Sequence, residues 1–156
     1  MIDIDIPGYR KLTLNHLVLD YNGTLACDGI LQEGVKEALI ALSKRLAIHV
    51  ITADTFGKVK SGMAGIPCEI LIFPPKGQDI GKLEYIQKLD PAHTVCIGNG
   101  RNDRLMLKAS ALGIAVAIGE GAAAETLMAA DVVCTNILFA LELLLHPLRL
   151  TATLRS

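Results

Sequence analysis

The stretch Leu17-Val18-Leu19-Asp20-Tyr21-Asn22-Gly23-Thr24-Leu25 decides how this chain is read. Three apolar residues run straight into a carboxylate and a small polar turn follows. That is the pattern of a buried strand, Leu17 to Asp20, which presents Asp20 at its C-terminal rim. In an open α/β sheet, that rim is where ligands sit. Gly23 lets the backbone bend and approach a ligand closely, and Asn22 tolerates unusual dihedrals. A carboxylate on such a turn can serve as nucleophile or metal ligand, and as both when a cation shields it from a negative substrate. Taken alone, the same residues also describe a plain turn that closes a strand.

Two further strand ends repeat the pattern. Val50-Ile51-Thr52-Ala53-Asp54 brings a hydroxyl to a second rim, and Val95-Cys96-Ile97-Gly98-Asn99-Gly100-Arg101-Asn102-Asp103 brings an amide and a carboxylate to a third. Between them Lys82 stands at the head of a helical segment that continues through Ile86 and Leu89. Nucleophile, hydroxyl donor, cation and metal ligands are the parts of a magnesium-dependent phosphoryl-transfer site.

The remainder of the chain alternates strands with helices. Strands are predicted at Ala47 to Thr52, Cys68 to Phe73, His93 to Ile97, Gly113 to Ile118 and Asp131 to Cys134. Helices are predicted after Gly34 (Val35, Leu39, Leu42 and Leu46 on one face), over Thr55 to Met63, from Asp79 to Leu89, from Asn102 to Ser110, in the alanine-rich stretch and near Ile137 to Leu145. Such alternation implies a mostly parallel sheet covered on both faces, with right-handed crossovers. Residues 2 to 6 form a short opening strand expected to pair with a sheet edge, with Leu12 to Leu14 continuing it. The tail beyond Pro147 lacks helix caps and is expected to pack on the body or on a partner subunit.

Length and composition bound the function. A chain of 156 residues fits one domain, 1–156. A net charge of -1, pI near 6.4, few aromatics and no tryptophan argue against a nucleic-acid partner. The mean hydropathy of +0.43 is high. Yet Lys108, Glu120, Asp131 and Glu142 interrupt the apolar stretches before they reach the roughly 18 residues a membrane span requires, so no membrane partner is expected. The apolar excess points instead to a subunit interface and a homo-oligomer. Met1-Ile2-Asp3-Ile4-Asp5 carries no export signal. Cys27, Cys68, Cys96 and Cys134 have neither zinc nor disulfide spacing, and they read as free thiols in a cytoplasmic protein. His16, His49, His93 and His146 stand beside no motif residue and read as structural.

In order and type the four motifs resemble those of the haloacid dehalogenase (HAD) superfamily, and within it the phosphorylation domain of P-type ATPases, from Leu17 to Asn136. The resemblance implies a three-layer α/β/α Rossmann-like HAD fold. It implies that Asp20 attacks phosphorus, forms an aspartyl-phosphate and binds Mg²⁺, with the backbone carbonyl of Asn22 as a second ligand. Gly23 and Thr24 steady that loop, and Ala26-Cys27-Asp28-Gly29 leads into a small flap. Thr52 holds a phosphoryl oxygen and Lys82 neutralises shared charge, with Lys76 as the alternative. Asn99 and Asp103 complete the metal site, Asp103 by ordering the metal's water, and Asn102 supports it. The same two residues, Asn102 and Asp103, also suit a helix N-cap.

Two positions depart from that pattern. Asn22 stands where the phosphatases carry an acid-base Asp, and Asn99 where they carry a metal-binding Asp. The intervals from Asp20 to Thr52 and from Thr52 to Lys82 leave no room for a cap domain or for the pumps' inserted nucleotide-binding domain. The expected function is therefore a slow Mg²⁺-dependent phosphohydrolase for a small phosphate ester or anhydride. The alternative is a degenerate HAD-fold binding or regulatory module. A flavodoxin-like or response-regulator-like domain shares the sheet, but Gly98 to Asp103 speaks against it.

Overall fold

The computed structural model describes residues 1–156. The chain opens with β1 (Ile2–Ile6), β2 (Arg10–Leu14), β3 (His16–Leu19), the short strands β4 (Ala26–Cys27) and β5 (Ile30–Leu31), and α1 (Val35–Ser43). Then come β6 (Ala47–Thr52), α2 (Val59–Gly62), β7 (Glu69–Ile72), α3 (Gln78–Leu89), β8 (Thr94–Gly98) and α4 (Arg104–Ala109). β9 (Leu112–Val116), α5 (Ala124–Ala129), β10 (Val132–Cys134), α6 (Ile137–Leu145) and α7 (Pro147–Leu154) complete it.

Six strands form the central sheet in the order β10-β9-β8-β3-β6-β7, and every neighbouring pair is parallel. Winding runs outward from β3 through β6 to β7, then returns to β8 and runs the other way to β10. The sheet is therefore doubly wound, with the 3-2-1-4-5-6 order and its topological switch between β3 and β8. A flavodoxin-like or response-regulator sheet has the order 2-1-3-4-5, which this topology excludes. The switch opens a crevice at the C-terminal ends of β3 and β8. Asp20 lies directly beyond the first and Asn99 directly beyond the second.

The pleat sorts the strand residues by size. Leu17, Leu19, Ile48, Val50, Val95, Ile97, Leu112, Ile114 and Val116 belong to the larger buried cluster, which also takes in Leu39 and Leu42 of α1 and Leu141 and Leu144 of α6. Val18, Ile51, Cys96 and Ala115 face the other way, onto Ile86 of α3 and Met106 and Leu107 of α4. That second face includes the small residues Cys96 and Ala115, and α4 approaches it closely. A Cβ on Gly113 would lie 2.5 Å from the Leu107 carbonyl oxygen. The first face carries the bulkier aliphatics of the strands and most of the hydrophobic stabilisation.

Three local expectations are corrected. β1 pairs antiparallel with β2 as a separate ribbon, from Ile2 opposite Leu14 to Ile6 opposite Arg10, and not with a sheet edge. Its inward residues Ile2, Ile4, Ile6, Leu12 and Leu14 join the larger cluster, so the ribbon is held by packing. The second helix is shorter than Thr55 to Met63. Asp54 turns the chain at φ 51, and its carboxylate accepts from the N–H groups of Lys58 and Val59, which start the helix later. The tail is helical after all: Pro147 occupies the first turn of α7, where its missing N–H is no loss, Leu150 is fully buried, and Leu154 packs on the larger cluster. No single helix is long and apolar enough to cross a membrane.

Candidate active site

Tyr21, Asn22, Gly23 and Thr24 form a tight turn after β3, closed by the N–H groups of Leu25 and Ala26 bonding back to the Tyr21 carbonyl. Gly23 has φ 77, and a Cβ there would sit 2.2 Å from Asn99 Nδ2. Any other residue would be strained and would push Asn99 aside. The turn therefore packs directly on the end of β8. Thr24 is fully buried, and its hydroxyl lies 3.3 Å from Asp20 Oδ2 and 3.2 Å from Asn99 Oδ1, which ties the first and last motifs together.

Lys82 reaches the same point from the other side of the sheet. It is completely buried, with Nζ 2.7 Å from Asp20 Oδ1 and 2.6 Å from Asp103 Oδ1. Lys76 is exposed and takes no part. The other oxygen of Asp103 accepts the N–H groups of Asn99 (3.0 Å) and Gly100 (2.9 Å), so this carboxylate holds both the lysine and the 98–100 turn. Gly98 leaves the space for it, because a Cβ there would meet Asp103 Cγ at 2.5 Å.

The electrostatics follow from two carboxylates around one ammonium in a dry interior. Burial, joined by the like charge of Asp103, pushes the Asp20 carboxyl up to about 6, although Lys82 and Thr24 pull the other way. Burial works against the Lys82 ammonium, but the carboxylates of Asp103 and Asp20 outweigh it and hold the group above its ordinary range. Removing the lysine from such a buried arrangement leaves two carboxylates uncompensated.

A cleft of about 230 Å³ opens above Asp20. Its wall includes Asp20, Asn22, Thr52, Asn99 and Asn102, together with Gln78 and Glu120. Thr52 Oγ1 accepts the Asp54 N–H at 2.9 Å, and its own proton has no acceptor within the protein. Asn22 Oδ1 is buried without a partner. Asn102 donates to Gln78 Oε1 at 2.6 Å, and these two residues also wall a second cleft of about 460 Å³ shared with Pro75, Asp79, Arg101 and Arg104. Asn99 Nδ2 donates to the Gly121 carbonyl at 2.9 Å, and the Asn99 carbonyl accepts from Ala123 N–H. Asn99 thereby anchors the loop between β9 and α5.

The residues singled out from sequence, Lys76 apart, converge here: Asp20, Asn22, Thr52, Asn99 and Asn102 in the cleft wall, Gly23 and Thr24 in the turn, and Lys82 and Asp103 buried behind. Gln78, Glu120 and Gly121 were not anticipated. Each is brought in by a loop or helix start whose local pattern carries no chemistry. The flap is formed by β4 and β5, braced by the Tyr21 hydroxyl on the Gly29 carbonyl at 3.2 Å. The histidines contact one another, Tyr85, Glu69 and Asp90, and none contacts a motif residue. All four cysteines are free, and burial pushes the Cys96 thiol up to about 12.

A doubly wound parallel sheet with a lysine-clamped aspartate at its switch point defines a Rossmann-like α/β architecture. Family comparison matches residues 75–137 to the haloacid dehalogenase-like hydrolases. Uncharacterized protein MJ0073 of Methanocaldococcus jannaschii is 42% identical over 83 residues, which span 51% of this chain and 89% of that protein. Among solved structures, 3-deoxy-D-manno-octulosonate 8-phosphate phosphatase from Moraxella catarrhalis, in complex with magnesium, phosphate and its sugar, superposes with a TM-score of 0.71 at 18% identity, covering 85% of this chain and 86% of that one. The cobalt-bound deoxy-D-mannose-octulosonate 8-phosphate phosphatase from Haemophilus influenzae gives 0.70 at 14% identity over 92% and 94%. The matched segment, residues 75–137, carries Lys82, Asn99 and Asp103 of the site.

Proposed function

We propose that the protein is a Mg²⁺-dependent phosphohydrolase that acts on a small, polar phosphate ester or anhydride through an aspartyl-phosphate on Asp20. The observation that carries this reading is Asp20 itself: a carboxylate fixed by Lys82, turned toward a polar cleft at the sheet's switch point. Lys82 orients one oxygen, so the other is left toward the cleft to attack phosphorus in line. Thr52 donates its unassigned proton to a phosphoryl oxygen, and Lys82 offsets the charge shared by Asp20 and the phosphoryl group. Apart from Pro75 the second cleft is walled by polar and charged side chains, which supports a hydrophilic leaving group.

The donors present suit magnesium, which favours oxygen ligands. Asp20, the Asn22 carbonyl and Asn99 would hold it, while Asp103, buried behind the cleft on Lys82 and the 98–100 turn, would act by fixing those groups and not by ordering the ion's water. The partnerless Asn22 Oδ1 is a polar atom that such a hydrated ion satisfies. When bound, the ion neutralises the incoming phosphate and so lets an anionic nucleophile approach it. Asn99 supplies no formal charge, so affinity is weaker than with a carboxylate there.

Thr52-Ala53-Asp54 supports a kinship with the phosphorylation domain of P-type ATPases, one that implies no transport. The four free thiols favour a reducing, cytoplasmic setting. Ile30, Phe56, Ile72 and Ile80 are exposed on segments that leave the C-terminal edge of the sheet, and they favour a homo-oligomer joined there. Purified protein with an aryl phosphate and Mg²⁺ should release phosphate. Equal rates from wild type and Asp20→Asn would end this reading.

A further inference from the structure

An aspartyl-phosphate is useful only if water can remove the phosphoryl group, and the attacking water must lose a proton. Asn22, at the position expected to carry an acid-base group, is an amide and cannot take one. Of the side chains in the cleft wall, two titrate: Asp20, which is consumed as nucleophile, and Glu120.

Glu120 is held in place from two sides. Its turn is closed by Gly121 N–H on the Ile118 carbonyl at 2.8 Å, and Asn99 pins the same turn through Gly121. From the flap, the Asp28 N–H donates to Glu120 Oε1 at 2.8 Å. Oε2 makes no hydrogen bond within the protein. One oxygen is therefore anchored and the other is available to the cleft. The titratable groups that face Glu120 are Cys27 and Asp28 of the flap, whose ligating atoms lie within 4.8 Å of its carboxylate, and Asp20 from the cleft floor.

Resting on the phosphohydrolase reading above, we propose that Glu120 is the base of the hydrolytic half-reaction. The water oxygen bonds to phosphorus as the bond from phosphorus to the Asp20 oxygen breaks. That electron pair returns to the Asp20 carboxylate, the proton from water goes to Glu120, and Glu120 releases it to solvent. Inorganic phosphate and free Asp20 result. Glu120 so supplies, from the loop between β9 and α5, the group that position 22 lacks.

The test follows decay of the acid-stable phosphoenzyme formed from labelled acetyl phosphate with Mg²⁺ in the full chain. Glu120→Gln keeps an acceptor for the Asp28 N–H and loses the base. It should form phosphoenzyme yet lose it about 10²-fold or more slowly, the range of a general base. Wild-type decay should slow toward acid pH, and Glu120→Gln decay should not respond. Asp20 is esterified in this step and contributes no titration. Glu120→Ala should decay as slowly as the Gln variant. Decay of Glu120→Gln within about twofold of wild type overturns the assignment, and so does slowing by Ala alone, which marks a flap latch. Label on Asp20→Asn at the wild-type level removes the phosphohydrolase reading itself, and this inference with it.

Discussion

Asp20→Asn should make the metal-free protein more stable at neutral pH while abolishing turnover. In the unfolded chain this carboxyl ionises near 3.8, and in the folded chain near 6. The folded state therefore holds the proton more tightly, so ionisation works against folding. The penalty is absent below pH 3.8, grows through the window up to 6 and is complete above it. At about 1.4 kcal/mol per pKa unit it amounts to about 3 kcal/mol at pH 7. Asparagine keeps an oxygen for Lys82, and its NH₂ can donate to Thr24 Oγ1, so the neutral geometry is retained. Asp103 continues to neutralise Lys82 at 2.6 Å. Denaturant titrations in chelator at pH 7 should show the variant more stable by about 1–3 kcal/mol, with the gap closing below pH 4. Saturating Mg²⁺ should reverse the order, because only the wild type gains a full ligand set. A variant less stable than wild type at pH 7 in chelator, or an offset that persists at pH 4, would refute the reasoning.

Three further outcomes follow from the geometry. Lys82→Met strands Asp20 and Asp103 as buried, unneutralised carboxylates and should destabilise by about 3–5 kcal/mol, read from denaturant midpoints; a loss below about 1 kcal/mol contradicts the clamp. Asn99→Asp places an acceptor against the Gly121 carbonyl in place of the 2.9 Å hydrogen bond. It should cost about 1–3 kcal/mol without metal and yet tighten Mg²⁺ binding in calorimetric titration. Leu150→Ala should cost about 2–5 kcal/mol in the same denaturation assay, because this side chain is fully buried where α7 meets the larger cluster.

How far sequence reached depended on the range of the interactions involved. β6 was expected at its observed bounds, Ala47–Thr52, because a short, mostly apolar run rich in β-branched residues between polar flanks favours a strand. Asp20, Thr52 and Asn99 were accessible for the same reason, each being the first polar group after such a run. Lys82 needed more. Its helical spacing located it, whereas its burial depends on two carboxylates 62 and 21 residues away. Glu120 could not be found locally, since what aims it is a backbone N–H 92 residues distant. α7 went unrecognised because no helix cap was seen beyond Pro147, although proline at a first helical position itself opens a helix. The β1–β2 ribbon was missed because alternation sets a strand's faces but not its partner.

Tyr21, adjacent to the nucleophile, is fully buried, and its hydroxyl touches the flap at Gly29 and fills the space left by the absent Cβ of Gly62. The chain contains three tyrosines and no tryptophan. Phenol emission is thus unmasked by indole, and replacing Tyr9 and Tyr85 with phenylalanine would leave a single intrinsic fluorophore beside the reacting aspartate. Flap opening and occupancy of the cleft would then be readable optically, in real time and without a label.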